Sequence, residues 1–405
     1  MKNVVVAQSG GPTAVINSSL AGVIRGFKGK AGTVYGSIHG IEGVLHDNLI
    51  NLSETFAKEE DLELLSRTPA AYLGTCRHRL VADDMAVFEK IFKMFAKYDV
   101  GYFLYIGGND SMDTVAKLSK YAAEIGSDIR FVGVPKTIDN DLAETDHTPG
   151  YGSAAKYVAT SMREIILDSI VYDIKTLTIV EIMGRNAGWL TAAAALARNE
   201  KIIAPHYIYM PEVVFDLEKF MADVGEAIEK HRNVIVAVSE GIKLANGKYV
   251  FEMESDSTPR DAFGHAQLSG TAAALSHMVK ERIKGVKVRA IEFSLLQRSA
   301  AHIASQTDVT EAGLIGEAGA AAALAGETGI MMSFERVSSS PYKMEICKKD
   351  VNLIANAEKK VPKEWINADG NDIKSELIEY MRPLIIGESK VRFENGLPVY
   401  AVREK

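Results

Sequence analysis

The sequence predicts an α/β protein of two lobes, each built on a largely parallel sheet, with a C-terminal cap. Three observations predict it. Short β-branched runs end in glycine-bearing turns. Each turn opens a stretch with apolar residues at helical spacing. The strand–helix order then restarts after a polar segment, DNDLAETDHTPG, as two α/β units in succession do. A chain of 405 residues has room for two or three ordinary domains.

In chain order, NVVVAQ (3–8) reads as a strand, SGGP as a turn and TAVINSSLAGVIRGF as a helix. TVYGSIHG (33–40) is a strand entering a turn, and MAVFEKIFKMFAKYDV (85–100) a strongly amphipathic helix. GYFLYIGG, SMDTVAKLSKYA and RFVGVP (130–135) follow as strand, helix and strand. In the second unit GSAAKYVATSMREIILDSI is a helix, TLTIVEIMG (176–184) a strand and NAGWLTAAAALARN a helix. DLEKFMADVGEAIEKH is a helix, and NVIVAVSEG (233–241) and KVRAIEF (287–293) are strands. From about residue 335 the tail carries KKD, EKK and WINADG; helices and short strands capping the body are expected there.

Composition narrows the function classes. Apolar residues make up 47% and charged residues 24%, enough to bury a large core. The formal charge is −7, and no basic tail or Lys/Arg block stands out, which argues against a nucleic-acid partner. Two cysteines, Cys76 and Cys347, make neither a disulfide framework nor a zinc site. MKNVVVAQSGGPT lacks a signal-peptide core, and no run approaches the roughly 20 apolar residues of a membrane helix. A cytoplasmic protein with no membrane partner is expected.

In such sheets ligands bind beyond the carboxyl ends of the strands. The turns of interest are therefore SGGP, IGGNDS, VPKTIDND, EIMGRN and VSEG. SGGPT (9–13), with Gly10 and Gly11, lets backbone N–H groups approach a phosphate at a helix end; it equally reads as a turn built for tight packing. IGGNDS has the same shape around Gly108, with Asn109 and Asp110 also readable as helix-capping residues. VPKTIDND (134–141) runs a strand into Asp139, Asn140 and Asp141, with Lys136 and Thr137 beside them. Carboxylates there suit proton acceptance or a hydrated cation; the alternative is an Asx-turn with a solvated lysine. Arg185, Arg289 and Arg298 each read singly as a carboxylate's partner or a solvated edge residue. Converging with Lys136, such planar forks would bind phosphate bidentately. GYGSAA (150–155) is not a dinucleotide fingerprint, because polar loop precedes it rather than a strand. GIKLANGKY (241–249) is one residue too long for a P-loop, and the nine histidines show no zinc spacing.

Taken together, SGGPTAVIN, GTCR (74–77), IGGNDS, PKTIDND, MGR and LLQR resemble the phosphofructokinase family in order and spacing, over roughly residues 3–330. PKTIDND and the acidic end of GGND resemble the pyrophosphate-dependent members. ATP-dependent members carry glycine at the position of Asp110 and usually at that of Lys136. The resemblance implies two Rossmann-like lobes with the active site in the cleft between them. Residues 1–150 would bind the donor, completed by part of 297–345; 151–296 would bind sugar phosphate; 346–405 would form the cap.

It further implies reversible phosphoryl transfer from pyrophosphate to the 1-hydroxyl of fructose 6-phosphate, with Mg²⁺. Asp139 matches the base, and Lys136 and Arg185 the charge-neutralising groups. Gly10, Gly11, Arg77, Gly108, Asp110 and Lys136 match the donor side. Thr137, Ile138, Asp141, Met183, Gly184, Glu240, Leu295 and Arg298 match the sugar side, Arg298 at its 6-phosphate. Arg289 matches a residue contributed by a neighbouring subunit, implying a homodimer or homotetramer. Asp110 would stand where the α-phosphate of ATP lies, excluding a nucleotide. Three positions depart from the family pattern. Asn109 replaces the usual metal-binding aspartate, so Asp110, Asp139 or the donor's own oxygens would carry more of the metal. Thr176 stands where a second cross-subunit arginine falls, next to Lys175. Leu295 stands where ATP-dependent members often have histidine. The competing readings are an ATP-dependent kinase of the same fold and a non-catalytic sugar-phosphate sensor.

Overall fold

Residues 1–253, 268–355 and 357–403 are described in the computed structural model of the chain. Its strands are β1 (Asn3–Gln8), β2 (Val34–Ser37), β3 (Leu49–Asn51), β4 (Val100–Gly107), β5 (Arg130–Pro135) and β6 (Thr176–Ile182). They continue with β7 (Tyr207–Tyr209), β8 (Asn233–Ser239), β9 (Lys287–Glu292), β10 (Ile330–Ser339) and β11 (Tyr342–Asp350). The first sheet has the order β11-β10-β5-β4-β1-β2-β3, the second β7-β8-β6-β9. The second is parallel throughout. In the first, only the outer pairs β2–β3 and β10–β11 are antiparallel. The α/β expectation with largely parallel sheets holds.

Register explains why the glycine turns meet. Gln8 pairs with Ile106, and Gly107 with Pro135. Thus β1, β4 and β5 end at one level, and the turns at 9–11, 108–110 and 136–141 emerge side by side. In the second sheet Ile182 pairs with Ser239, so residues 183–185 and 240 also leave together.

Apolar side chains cover both faces of each sheet. The helix Met85–Lys97 lays Phe88, Ile91 and Phe95 on the first sheet, and Asp84 accepts from the Val87 N–H at its start. Phe92, Phe95, Phe103 and Phe131 form one aromatic cluster there. Full burial of each such ring stabilises by about 1.5–3 kcal/mol. On the other face, helices Ile16–Phe27 and Gln306–Leu324 touch through glycine. A Cβ at Gly22 would lie 2.0 Å from the Gly313 carbonyl oxygen, and one at Gly316 2.2 Å from that of Ser19.

Two expectations are corrected. NAGWLTAAAALARN forms only a short α-helix, Trp189–Ala192, continued as a 3-10 turn over Ala193–Ala197. Every residue from Trp189 to Ala197 is buried, so tertiary packing rather than an amphipathic stripe sets its path. The tail has the expected helix, Ser375–Met381, and short strands, Phe393–Glu394 and Leu397–Pro398, but before them β10 and β11, ten and nine residues long, extend the first sheet. Lys and Glu alternate with apolar residues along β11, which suits an outer strand with one solvated face. The later tail packs Val361, Ile366, Leu377 and Met381 into the core beside the second sheet. No helix among the described residues is long and apolar enough to cross a membrane.

Candidate active site

Lys136 follows β5 directly, and its backbone N–H donates to the Gly107 carbonyl. Its side chain is only 2% exposed, and its Nζ donates to the Gly11 carbonyl at 2.7 Å. Gly10 has a φ of +78°, and a Cβ there would lie 3.0 Å from that amine. Glycine at this position thus serves both the left-handed backbone and the close approach. A Cβ at Gly11 would stand 3.5 Å from the Arg298 guanidinium. The SGGP turn is therefore lined by two cations from distant parts of the chain. Burial pulls the Lys136 amine down to about 8, against the attraction of Asp139 and Asp141.

Thr137 opens the loop. Its hydroxyl accepts from the Asp139 N–H at 3.1 Å and lies 3.4 Å from Asp139 Oδ2. Burial raises the Asp139 carboxyl above the usual carboxylate range, against the pull of Lys136 and Arg185. Burial, then the neighbouring Asp139 and Glu358 charges, push Asp141 up to about 7. The Ile138 side chain packs into the core beside the second sheet, 7% exposed, so it does not face the cleft.

The second sheet supplies the opposite wall. Gly184 has a φ of +144°; its carbonyl accepts from Ser239 Oγ at 2.5 Å, and its N–H points to Glu240 Oε1 at 3.4 Å. A Cβ on Gly241 would meet the Arg185 carbonyl oxygen at 1.9 Å, so the MGR and SEG turns interlock. Met183 donates its N–H to Gln297, which ties MGR to the LLQR turn. Burial, with Asp139 adding to it, pushes Glu240 up to about 8. The Arg298 guanidinium feels burial first, then the repulsion of Arg77 and the attraction of Asp139 and Glu240. Asp139, Arg185, Glu240, Arg298, Arg77 and Lys136 thus form one electrostatic cluster spanning both sheets.

At the third turn Gly108 precedes the helix Asn109–Glu124 without a side-chain cap. Asp110 is exposed in its first turn, where a carboxylate is favoured by the helix dipole. Asn109 Oδ1 is buried without a hydrogen-bond partner. Gly107 admits no side chain, since a Cβ would lie 1.8 Å from Ser111 Oγ, which itself bonds Ser9 Oγ at 2.8 Å.

Other predicted residues lie apart. Arg289 sits in β9, 3.5 Å from Asp168 and over the Tyr172 ring, and lines a separate cavity of about 420 Å³. Leu295 is 56% exposed. Lys175 pairs with Glu229 at 2.8 Å, and buried Thr176 bonds Asn233. Sequence reasoning named Asn140 only as one of three polar residues in its turn, and passed over Glu358, Lys359 and Tyr380, all close to the Asp139 loop. Asn140 stood inside the quoted motif, and its positive φ of 55° is a conformation asparagine tolerates. Lys359 and Tyr380 carried no local signal, because only the folding of the tail brings them there.

Residues 3–304 match the phosphofructokinase family model. A pyrophosphate–fructose 6-phosphate 1-phosphotransferase of Methylococcus capsulatus is 42% identical, the alignment covering 98% of this chain and 95% of that protein. Two solved structures share 37% identity and cover 100% of this chain and 98% of their own. They are pyrophosphate-dependent phosphofructokinases of Marinobacter aquaeolei, TM-score 0.87, and Nitrosospira multiformis, TM-score 0.88.

Proposed function

The chain belongs to the phosphofructokinase family, and from that premise we infer that it transfers a phosphoryl group from pyrophosphate to the 1-hydroxyl of fructose 6-phosphate. The products are fructose 1,6-bisphosphate and phosphate, and the reaction runs both ways, since the overall free-energy change with pyrophosphate in place of ATP is small. The observation that carries this reading is Lys136, whose buried amine lies against the SGGP turn beside Asp139.

In this reading residues 1–150, with part of 297–345, hold the donor, 151–296 the sugar phosphate, and 346–405 cap the body. Asp139 accepts the hydroxyl proton as the sugar oxygen bonds to phosphorus and the bridging P–O bond breaks. Burial makes that carboxylate more basic than an ordinary aspartate, which suits a proton acceptor. Lys136 and Arg185 neutralise charge that develops on the transferred group. Gly10, Gly11, Arg77 and Gly108 line the donor, while Thr137, Asp141, Met183, Gly184, Glu240 and Arg298 surround the sugar. Asp110 occupies the place an additional nucleotide phosphate would need.

Enzymes of this family generally need a divalent metal. The orphaned Asn109 Oδ1 and exposed Asp110 fit a cation held mainly by donor oxygens, as Mg²⁺ commonly is. Among the described residues no cluster of three acidic, His or Cys side chains offers a dedicated cage. Bound there, Mg²⁺ would neutralise the donor's negative charge. A homodimer or homotetramer is supported by exposed Leu167, Ile170, Val171, Leu295 and Leu296, with Arg289 nearby to reach a second copy. A cytoplasmic setting suits these substrates.

Steady-state turnover with fructose 6-phosphate and Mg²⁺, comparing pyrophosphate with ATP, tests the reading. Pyrophosphate alone should support turnover; ATP working equally well would remove the donor assignment. Asp139→Asn should abolish turnover while sugar-phosphate binding survives, which a non-catalytic sensor would not show as a loss.

A further inference from the structure

The loop from Thr137 to Gly150 is closed at its base, Thr137 bridging to Gly150 and donating its N–H to the Pro149 carbonyl. Its functional side chains lie at one end, and residues from the tail grip the other. Asn140, between Asp139 and Asp141, is fully buried and held at a φ of 55°. Its Oδ1 accepts from the Thr148 N–H at 3.1 Å. Its Nδ2 donates to the Tyr380 hydroxyl at 2.8 Å. That hydroxyl donates in turn to the Asp146 carbonyl at 2.6 Å. Lys359 holds the same loop from a second direction: its backbone N–H donates to the Asp141 carbonyl at 2.7 Å. Its Nζ donates to the Thr145 and Asp146 carbonyls at 3.0 and 2.7 Å, and lies 5.1 Å from the Trp189 ring centre. Asp146 is further fixed by Arg336, whose guanidinium stacks 4.6 Å from the Tyr380 ring.

Both gripping residues come from beyond the family match, which ends at residue 304. We propose that Tyr380 and Lys359 are positioning residues, a clamp from the tail that sets the aim of Asp139 and Asp141 by fixing Asn140 and the far side of the loop. The proposal rests on the catalytic role given above to Asp139. Neither residue touches the reacting groups. The clamp acts through the loop backbone: beside the bond from Thr148, the Tyr380 hydroxyl is a second hold on a non-glycine residue in the left-handed region. A lysine buried against carbonyls is costly to maintain. A purely apolar contact would cover the same surface, so its hydrogen bonds are the feature that distinguishes it.

The test is a double-mutant cycle on the full chain, with Tyr380→Phe, Asn140→Ala and the pair. Tyr380→Phe keeps the ring contacts with Trp189 and Trp365 and removes only the hydroxyl. It should lower kcat about 10- to 100-fold, as misplacement of a reacting group does, while the dissociation constant for fructose 6-phosphate stays within about twofold. If Tyr380 acts through Asn140, the double variant is no worse than the poorer single one. Losses that multiply, or an unchanged kcat in Tyr380→Phe, overturn the clamp. Should Tyr380→Phe fail to fold, Lys359→Met reads the clamp from its other side: a fall in kcat with sugar binding kept supports it, an unchanged kcat overturns it. Wild-type chain is assayed in parallel. Absence of wild-type turnover overturns the functional reading, and the clamp with it; active wild type with unchanged variants overturns the clamp alone.

Discussion

In the proposed reading, Asp110 and Lys136 decide donor choice at the level of single side chains. Asp110 is exposed in the first turn of its helix, and the Lys136 amine is buried against the Gly11 carbonyl. Asp110→Gly removes the repulsion that keeps out a longer polyphosphate. Pyrophosphate turnover should fall, and slight ATP turnover should emerge; full conversion is not expected, because Lys136 remains. Parallel kcat/KM measurements with both donors check this, and undiminished pyrophosphate use would deny Asp110 a role in specificity. Lys136 also predicts a pH limit. Its amine is drawn down to about 8, so in the free enzyme it loses its proton as pH rises through that value. The profile of kcat/KM should fall on the alkaline side near pH 8. Lys136→Arg keeps the charge at all accessible pH values, so the alkaline fall, taken relative to wild type under identical substrate ionisation, should move upward. A limb that does not move assigns the fall to another group.

At the scale of elements, the strands and their glycine turns were legible because a β-branched run ending in two small residues is a local signal. The helix Gln306–Leu324 was not, because it buries small residues and presents no stripe of large apolar ones. Its partner Ile16–Phe27 was read, but nothing in either stretch alone announces that Gly22 meets Gly313. That contact makes a sharp prediction. In an isolated helix, Gly→Ala stabilises by about 1 kcal/mol. At Gly22 the new methyl would lie 2.0 Å from a backbone oxygen, so two helices would have to separate. Gly22→Ala should therefore destabilise by about 1–3 kcal/mol, the usual cost of overpacking. Gly225, in the helix Leu217–Lys230, has nothing within 4 Å of its would-be Cβ, and Gly225→Ala should stabilise. Urea unfolding of both variants compares them; a stabilised Gly22→Ala would mean the two helices are not locked at that distance.

For the whole molecule, the residues alone read as a set of turns; that Asp139, Glu240 and Arg298 share one cleft was legible only through the family resemblance, since their convergence depends on how the sheets face each other. The consequence is a dependence of overall stability on pH. Burial raises Glu181 to about 7 and Glu240 to about 8, both from an ordinary value of 4.5. Glu181 is 4% exposed and accepts from the Ala272 N–H, at the start of the helix Thr271–Arg282. His147, buried between Asp146 and Glu311, is also raised, its two carboxylate partners outweighing burial. In each case the folded state binds more protons than the unfolded chain as pH rises from neutrality. Linkage then requires stability to fall with pH in that window. His206 opposes this only at lower pH, because burial takes its folded value down to about 4 while the unfolded ring titrates near 6.5. Lys136 and Lys359, both drawn down to about 8, reverse the slope only above that value. Between pH 6.5 and 8 each raised carboxyl should remove on the order of 1–2 kcal/mol of stability. Urea midpoints of the ligand-free chain at those two pH values measure it. Glu181→Gln, which keeps an acceptor for the Ala272 N–H and cannot ionise, should flatten the slope; a midpoint that rises across the window would mean these carboxyls are ionised in the fold and paired more fully than their burial indicates.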